Sequence, residues 1–415
     1  MRSPVRAVAA AACLAIVGAC GGTVDPGTTI GSSTTTIAEA TTTATSPTTS
    51  SVVATTTTST TTTSTVDGWT RIDLDPSVLG DAEVTDAAFW DDRLVVVGCG
   101  AEVPLWWADE DLDLVPANGP ADVSCIEEVT ATSLGWYALG EGAVLASTDG
   151  VEWTRLHLAS DLGYEFDGQV GSPRVVFASP DGDRVVVLFA RAAEAESTVA
   201  TLVSTVDGVT WTETRVEAFD SSTISVVTPG GDGLLAAGAS PGGEFVPTAA
   251  VFTSADGIEW RRVTPSTPDY TDKVIVDLRR IGDRYVAVGG DYFQTGLMTA
   301  WTSADGLSWE RSPHPDETTD PSVAQMTATS VTGAEDGLWA AGVDFDARRS
   351  EPQALPALWR SVDGIEWDRV AVAGLDAPIP FEIASGPGLR IGVWPPPGMP
   401  IDEPPVLFGG DPAGW

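Results

Sequence analysis

Basic side chains are scarce in this chain. Only 21 Lys and Arg stand against 59 Asp and Glu, the formal net charge is −38, and Lys273 is the one lysine. So acidic a surface repels phosphate backbones, which argues against nucleic acid as a partner. The plainest use of the acidity is solubility, and the preference for arginine over lysine reads as the bias of a GC-rich genome. Histidine is limited to His157 and His314 and cysteine to four residues, so a zinc site has little to draw on. The apolar run Ala7–Val17 falls short of the roughly 20 residues a membrane-spanning helix needs. What is plentiful is Gly (43), Pro (29) and hydrophobic side chains (43%), which suits a large all-β domain of many short strands.

The chain divides into three parts: 1–19, 20–66 and 67–415. The first has Arg2 and Arg6 ahead of the apolar run, as a bacterial signal peptide does. Removing it takes two bases and no acid, so the net charge moves from −38 to −40. Val17-Gly18-Ala19-Cys20-Gly21 resembles the lipobox of bacterial lipoproteins. That resemblance implies lipidation of Cys20, which becomes the mature N-terminus; two or more acyl chains give stable anchoring. The expected location is the outer face of the cytoplasmic membrane or the cell surface, with the lipid as the only membrane contact. From Gly21 to Val66, 28 of 46 residues are Thr or Ser and none is aromatic. Such a segment buries too little apolar surface to offset its chain entropy and is expected to be a disordered tether spanning roughly 40 Å. Thr-rich stalks are also common targets of O-glycosylation.

Cys13 lies in the apolar run, which leaves Cys99 and Cys125. In an exported protein a single remaining pair points to a disulfide rather than a metal site.

Internal repetition decides the fold. Five segments share [Ser/Thr]-x-Asp-Gly-[aliphatic]-x-Trp: Ser147–Trp153, Thr205–Trp211, Ser254–Trp260, Ser303–Trp309 and Ser361–Trp367. An Asp-Gly pair between alternating runs signals a tight hairpin whose turn needs φ > 0. Ser/Thr and Asp bond back to the turn amides, which gives Asp149, Asp207, Asp256, Asp305 and Asp363 a turn-stabilising role. Each Trp falls on the following strand, facing a neighbouring unit. A second hairpin lies upstream of each, as at Ile281-Gly282-Asp283-Arg284 and Ala334-Glu335-Asp336-Gly337. Four strands in about 49 residues predict propeller blades. Upstream hairpins and third strands number seven, whereas fourth strands number six after the first blade begins; Trp69-Thr70-Arg71-Ile72 matches Trp153-Thr154-Arg155-Leu156 and supplies the seventh. The expectation is a seven-bladed β-propeller of four-stranded antiparallel blades, closed by pairing 68–73 with the strand near Pro405–Gly409.

The repeated motif resembles the Asp-box of the sialidase/BNR-repeat propellers, although each copy here lacks one residue between Asp and Gly. The kelch type is the alternative, with a similar period and Gly289-Gly290 matching its diglycine. The Gly-His and Trp-Asp pairs of WD40 do not recur. In the Asp-box family these motifs lie opposite the active site, so the resemblance implies architecture and no catalytic role for them. The family's Arg-Ile-Pro motif is absent.

No catalytic constellation emerges. Gly238-Ala239-Ser240-Pro241-Gly242 matches the nucleophile elbow Gly-x-Ser-x-Gly, but the residue after the serine must donate an N–H and proline has none. The acidic run Asp109-Glu110-Asp111-Leu112-Asp113 offers oxygen ligands to Ca²⁺ yet lacks the glycine and spacing of a calcium loop, so no cofactor or metal is expected. The irregular loops offer a candidate ligand face: Tyr270, Asp291, Tyr292 and Phe293, with Asp344, Phe345, Arg348 and Arg349 in the next blade. Aromatics beside acids suit sugars or cations, and the arginines suit a carboxylate. The function these features favour is a binding or scaffolding module for an extracytoplasmic protein, peptide or glycan. A glycoside hydrolase or lyase using carboxylates in the central funnel, and an assembly factor for envelope complexes, are the alternatives.

Overall fold

A computed structural model describes residues 62–66, 69–73, 76–79, 82–90, 93–100, 104–109, 113–140, 143–158, 165–166, 169–170, 173–192, 198–230, 233–241, 247–263, 270–291, 298–312, 325–334, 337–345, 354–370, 381–386, 388–393 and 406–410. Cys20 and most of the expected tether lie outside these residues. No described helix is long and apolar enough to cross a membrane.

The alternating runs form antiparallel meanders, because short turns join strands whose apolar faces must be covered on both sides. Six sheets have four strands. Blade one comprises Glu83–Trp90, Arg93–Cys99, Leu105–Ala108 and Val115–Pro116; blade two, Glu128–Thr132, Gly135–Gly140, Ala143–Ser147 and Thr154–Leu158. Blade three comprises Pro173–Ala178, Val185–Ala192, Thr198–Thr205 and Thr212–Arg215; blade four, Thr223–Gly230, Gly233–Pro241, Pro247–Ser254 and Arg261–Val263. Blade five comprises Lys273–Ile281, Arg284–Asp291, Met298–Ser303 and Glu310–Arg311; blade six, Gln325–Ala334, Gly337–Phe345, Ala354–Ser361 and Asp368–Val370.

The expectation of seven four-stranded blades is corrected here: the described residues form six. Segments from the two ends of the described chain form a closing sheet of five strands, in the order Thr62–Val66, Trp69–Asp73, Val406–Gly410, Gly388–Val393 and Phe381–Gly386, while Glu165–Phe166 and Gln169–Val170 form a separate two-stranded ribbon. Trp69 pairs with Gly410 and Asp73 with Val406, so the sheet joins the two ends of the described chain. Its fifth strand comes from the end of the Thr-rich segment, where disorder was expected. Val66 pairs with Trp69 and Thr62 with Asp73. Only Asp67-Gly68 separate the first of those pairs, and an Asp-Gly pair between two strands favours a two-residue hairpin. Composition argued against burial, but β-branched threonine suits a strand, and strand pairing satisfies the backbone without a large buried face.

First strands touch their neighbours in turn, and Phe381–Gly386 returns to Glu83–Trp90, so they line a closed inner ring. Second strands are buried on both faces; Arg93–Cys99 is enclosed at every residue but its ends. The core therefore consists of slabs between adjacent sheets. Val286, Val288, Met298 and Ala300 of blade five meet Ala340, Trp359 and Trp367 of blade six in one such slab. Val95, Val97 and Leu105 meet Trp136, Leu145 and Trp153 in another. Each first strand of blades one and three to six carries a bulge. The facing glycine explains one of them: a Cβ on Gly289 would sit 1.9 Å from the Val274 carbonyl oxygen, a contact only glycine permits.

Candidate functional site

At one end of the ring sit the five Asp-Gly turns, and their chemistry is the same in each. In blade two, the Ser147 hydroxyl donates to Asp149 Oδ1 at 2.9 Å and accepts from the Gly150 amide at 2.8 Å. Asp149 Oδ1 also accepts from the amides of Val151 and Glu152 at 2.9 and 3.0 Å. Gly150 has φ of 75°, and the four equivalent glycines lie between 71° and 79°. The Trp153 indole donates to the Gly150 carbonyl at 2.9 Å, which ties the fourth strand to the turn. Trp260, Trp309 and Trp367 repeat that bond to Gly257, Gly306 and Gly364.

The amides that converge on these aspartates stabilise their ionised form. All five carboxyls are held below the usual range. Asp207 falls to about 2, chiefly through the Thr210 and Val209 amides. For Asp256 burial is the largest influence and works upward, but the Glu259 and Ile258 amides, with the Ser254 hydroxyl and its own amide, bring the net shift down. The turns also lock the ring. Arg93 of blade one donates to the Asp149 carbonyl of blade two, and Arg284 of blade five to the Asp363 carbonyl of blade six.

Loops between second and third strands, and connections between blades, lie at the opposite end. Cys99, at the end of a second strand, is disulfide-bonded to Cys125 in the connection that enters blade two. The loop residues singled out from sequence divide three ways. Tyr270 is 2% exposed and stacks on Trp301, with ring centroids 5.8 Å apart, so it packs in the core rather than offering a free face. Asp291 accepts from Lys273, the sole lysine, at 2.5 Å, and both side chains are largely buried. Asp344 and Phe345 end the second strand of blade six, paired with Met326 and Gln325. Tyr292, Phe293, Arg348 and Arg349 lie outside the described residues, as do 110–112 of the acidic run.

Sequence reasoning missed a cluster on the inner ring. Asp86 and Asp277 follow the bulges of blades one and five and are 6% and 5% exposed. Each carboxylate bridges two blades. Asp86 accepts from the Ala87 amide at 2.7 Å and from Val129 of blade two at 2.6 Å. Asp277 accepts from Leu278 at 2.8 Å and from Val331 of blade six at 2.9 Å. Glu128 occupies the same place in blade two, but among the described residues no amide of blade three is bonded to it in this way; the neighbouring Val129 amide already serves Asp86.

Glu128 is half-buried, with its carboxyl crowded by protein at the inner wall. Burial pushes the pKa up to about 8, and the Asp86 carboxylate adds to the rise. Arg279 of blade five and Arg174 of blade three pull it down, while Glu127 pushes it further up. Arg279 itself holds Asp277, with Nε 3.1 Å from Oδ1. A carboxyl whose pKa is pushed up to about 8, two guanidinium groups and two clamped carboxylates thus face the same ring. A signal existed in the sequence: Asp86, Glu128, Asp277 and Ser330 each stand five residues ahead of the first-hairpin turn.

These sheets and their closed ring define a β-propeller. No family model and no curated protein matches the chain. Among solved structures it resembles a puromycin hydrolase S511A mutant complexed with PGG at 10% identity and a TM-score of 0.50, over 76% of this chain and 50% of that one. It also resembles the WD40 β-propeller domain of Doa1 (11% identity, TM-score 0.48, 81% and 95% of the two chains). The β-propeller domain of the Trilobed protease from Pyrococcus furiosus is similar as well (10%, 0.47, 80% and 96%). Likeness at this level concerns the fold alone.

Proposed function

We propose that this chain is an exported lipoprotein, anchored through acylated Cys20 at the outer face of the cytoplasmic membrane, whose propeller binds an extracytoplasmic protein, peptide or glycan at its inner ring. The observation that carries the reading is the contrast between repeated and non-repeated polar residues. The repeated Ser/Thr and Asp are occupied by their own turns. Glu128 and Arg174 depart from the repeat and bring a carboxyl and a guanidinium to one ring, beside Arg279, which is paired with Asp277. Polar groups that a scaffold does not need for its own bonding are the ones available to a ligand. The reading requires no cofactor and no nucleic acid.

The direct test screens glycan and peptide arrays with the Cys20→Ser chain, then repeats the positive hits with Glu128→Gln and Arg279→Ala. Binding that either change abolishes, in a variant that still unfolds cooperatively, supports the inner ring; hits that both variants retain contradict it. Membrane fractionation of Cys20→Ser tests the anchor, since a variant that stays with membranes excludes it.

One observation favours glycoside hydrolysis as a second reading. A carboxyl whose pKa is raised by burial and by a neighbouring carboxylate is how general acids are tuned. Against it, both Asp86 oxygens already accept backbone amides. Release of reducing sugar from an array hit, lost in Glu128→Gln, would favour the hydrolase.

A further inference from the structure

The fifth strand of the closing sheet decides where the Thr-rich tether leaves the domain. Third strands run toward the Asp-Gly turns and fourth strands run away from them. In the closing sheet Val406–Gly410 is the third strand, so Gly410 and its partner Trp69 lie at the Asp-Gly end, and Asp73 lies at the connection end. A chain that entered Trp69 directly from solvent would therefore leave at the Asp-Gly end. The structure instead folds the preceding segment back: Val66 pairs with Trp69, and Thr62 reaches Asp73. Five residues of strand cover about 17 Å, enough to carry the exit across the sheet.

We infer that the Thr62–Asp73 hairpin is a routing device that makes the tether depart from the connection end of the propeller. Under the anchored reading on which this rests, the pull of the anchor acts at the end bearing the Cys99–Cys125 disulfide and the inter-blade connections. The Asp-Gly end then faces outward, away from the envelope. The segment suits the task because β-branched threonine favours the strand. The Asp-Gly pair in the sequence between the two strands favours the observed register, since Thr62-Thr63-Ser64-Thr65 are too alike to specify pairing by themselves.

The test is a pair of spin-label distances in the full Cys20→Ser chain, which carries no acyl group, so failure of the anchor reading cannot affect it. Labels go on Val362→Cys, an exposed Asp-Gly turn tip in the neighbouring blade, and on either Thr62→Cys or Val66→Cys. The inference expects two narrow distributions, with Thr62 farther from the tip than Val66. Adding Ser64→Pro and Thr65→Pro, which removes an inward donor in either register, should broaden the Thr62 distribution while leaving the melting temperature nearly unchanged. A broad Thr62 distribution without the prolines, or one centred nearer the tip than Val66, overturns the inference. So does a Thr62 distribution that the prolines leave unaltered.

Discussion

The Asp-Gly turns and the inner ring use the same side chain for opposite ends. In the turns, an aspartate accepts two amides of its own hairpin, and its carboxyl is held low. On the inner ring, Asp86 and Asp277 accept one local amide and one from the next blade. Glu128, at the same place in blade two, lacks that clamp and has its carboxyl pushed up. Repetition therefore marks residues that serve the fold, and a residue that breaks a repeat inside a rigid ring marks a place where the fold does not need the group. Changes in the two regions should differ in size and in their response to pH.

The largest effect is expected where the turn meets the inter-blade slab. Trp367 is 2% exposed and both packs between blades and bonds to its turn, so Trp367→Ala should cost about 3–5 kcal/mol, read by denaturant unfolding. Trp309, which is only partly buried, should cost less. Next comes the inner-ring clamp. Asp277→Ala leaves two amides with no acceptor, Leu278 and Val331, and should cost roughly 2–3 kcal/mol. Equal stability in the variant would show that the blades do not depend on this bridge. Smaller again is Asp363→Ala, which removes a cap-like acceptor at a half-buried turn; the loss should be about 1 kcal/mol by analogy with helix caps.

The turns were legible in the sequence because everything that defines them lies within seven residues. The hydroxyl, carboxylate, glycine and indole of Ser147–Trp153 meet one another with no help from elsewhere. Closure was legible for a different reason: an unmatched third strand demands a partner, and Trp69–Asp73 has the pattern of a fourth strand. The closing sheet's fifth strand was not legible from composition, which weighs apolar burial and is silent about backbone pairing at an edge. Asp67-Gly68 was the available sign. The inner ring was hidden because residues 86, 128, 174 and 279 are far apart in the chain and meet only when four blades close. Tyr270 misled in the opposite sense: an aromatic in a connection looks like a ligand contact until Trp301 provides a ring to stack on.

The comparison between the two regions is tested most directly by stability as a function of pH in Glu128→Gln and Asp207→Asn against the parent chain. A raised carboxyl favours the folded state only while it is protonated, so its contribution is complete below the unfolded pKa of about 4.5 and is lost as pH climbs toward about 8. Glu128→Gln should therefore melt close to the parent at pH 4 and progressively above it by pH 8. A depressed carboxyl behaves in reverse: Asp207 contributes above the unfolded pKa of about 3.8, and that contribution disappears as pH falls toward about 2. Asp207→Asn should melt below the parent at neutral pH and approach it in acid. Melting curves for the two variants that diverge from the parent in these opposite directions are the result the account expects. A Glu128→Gln difference that stays constant from pH 4 to pH 8, or that favours the parent as pH rises, would contradict it.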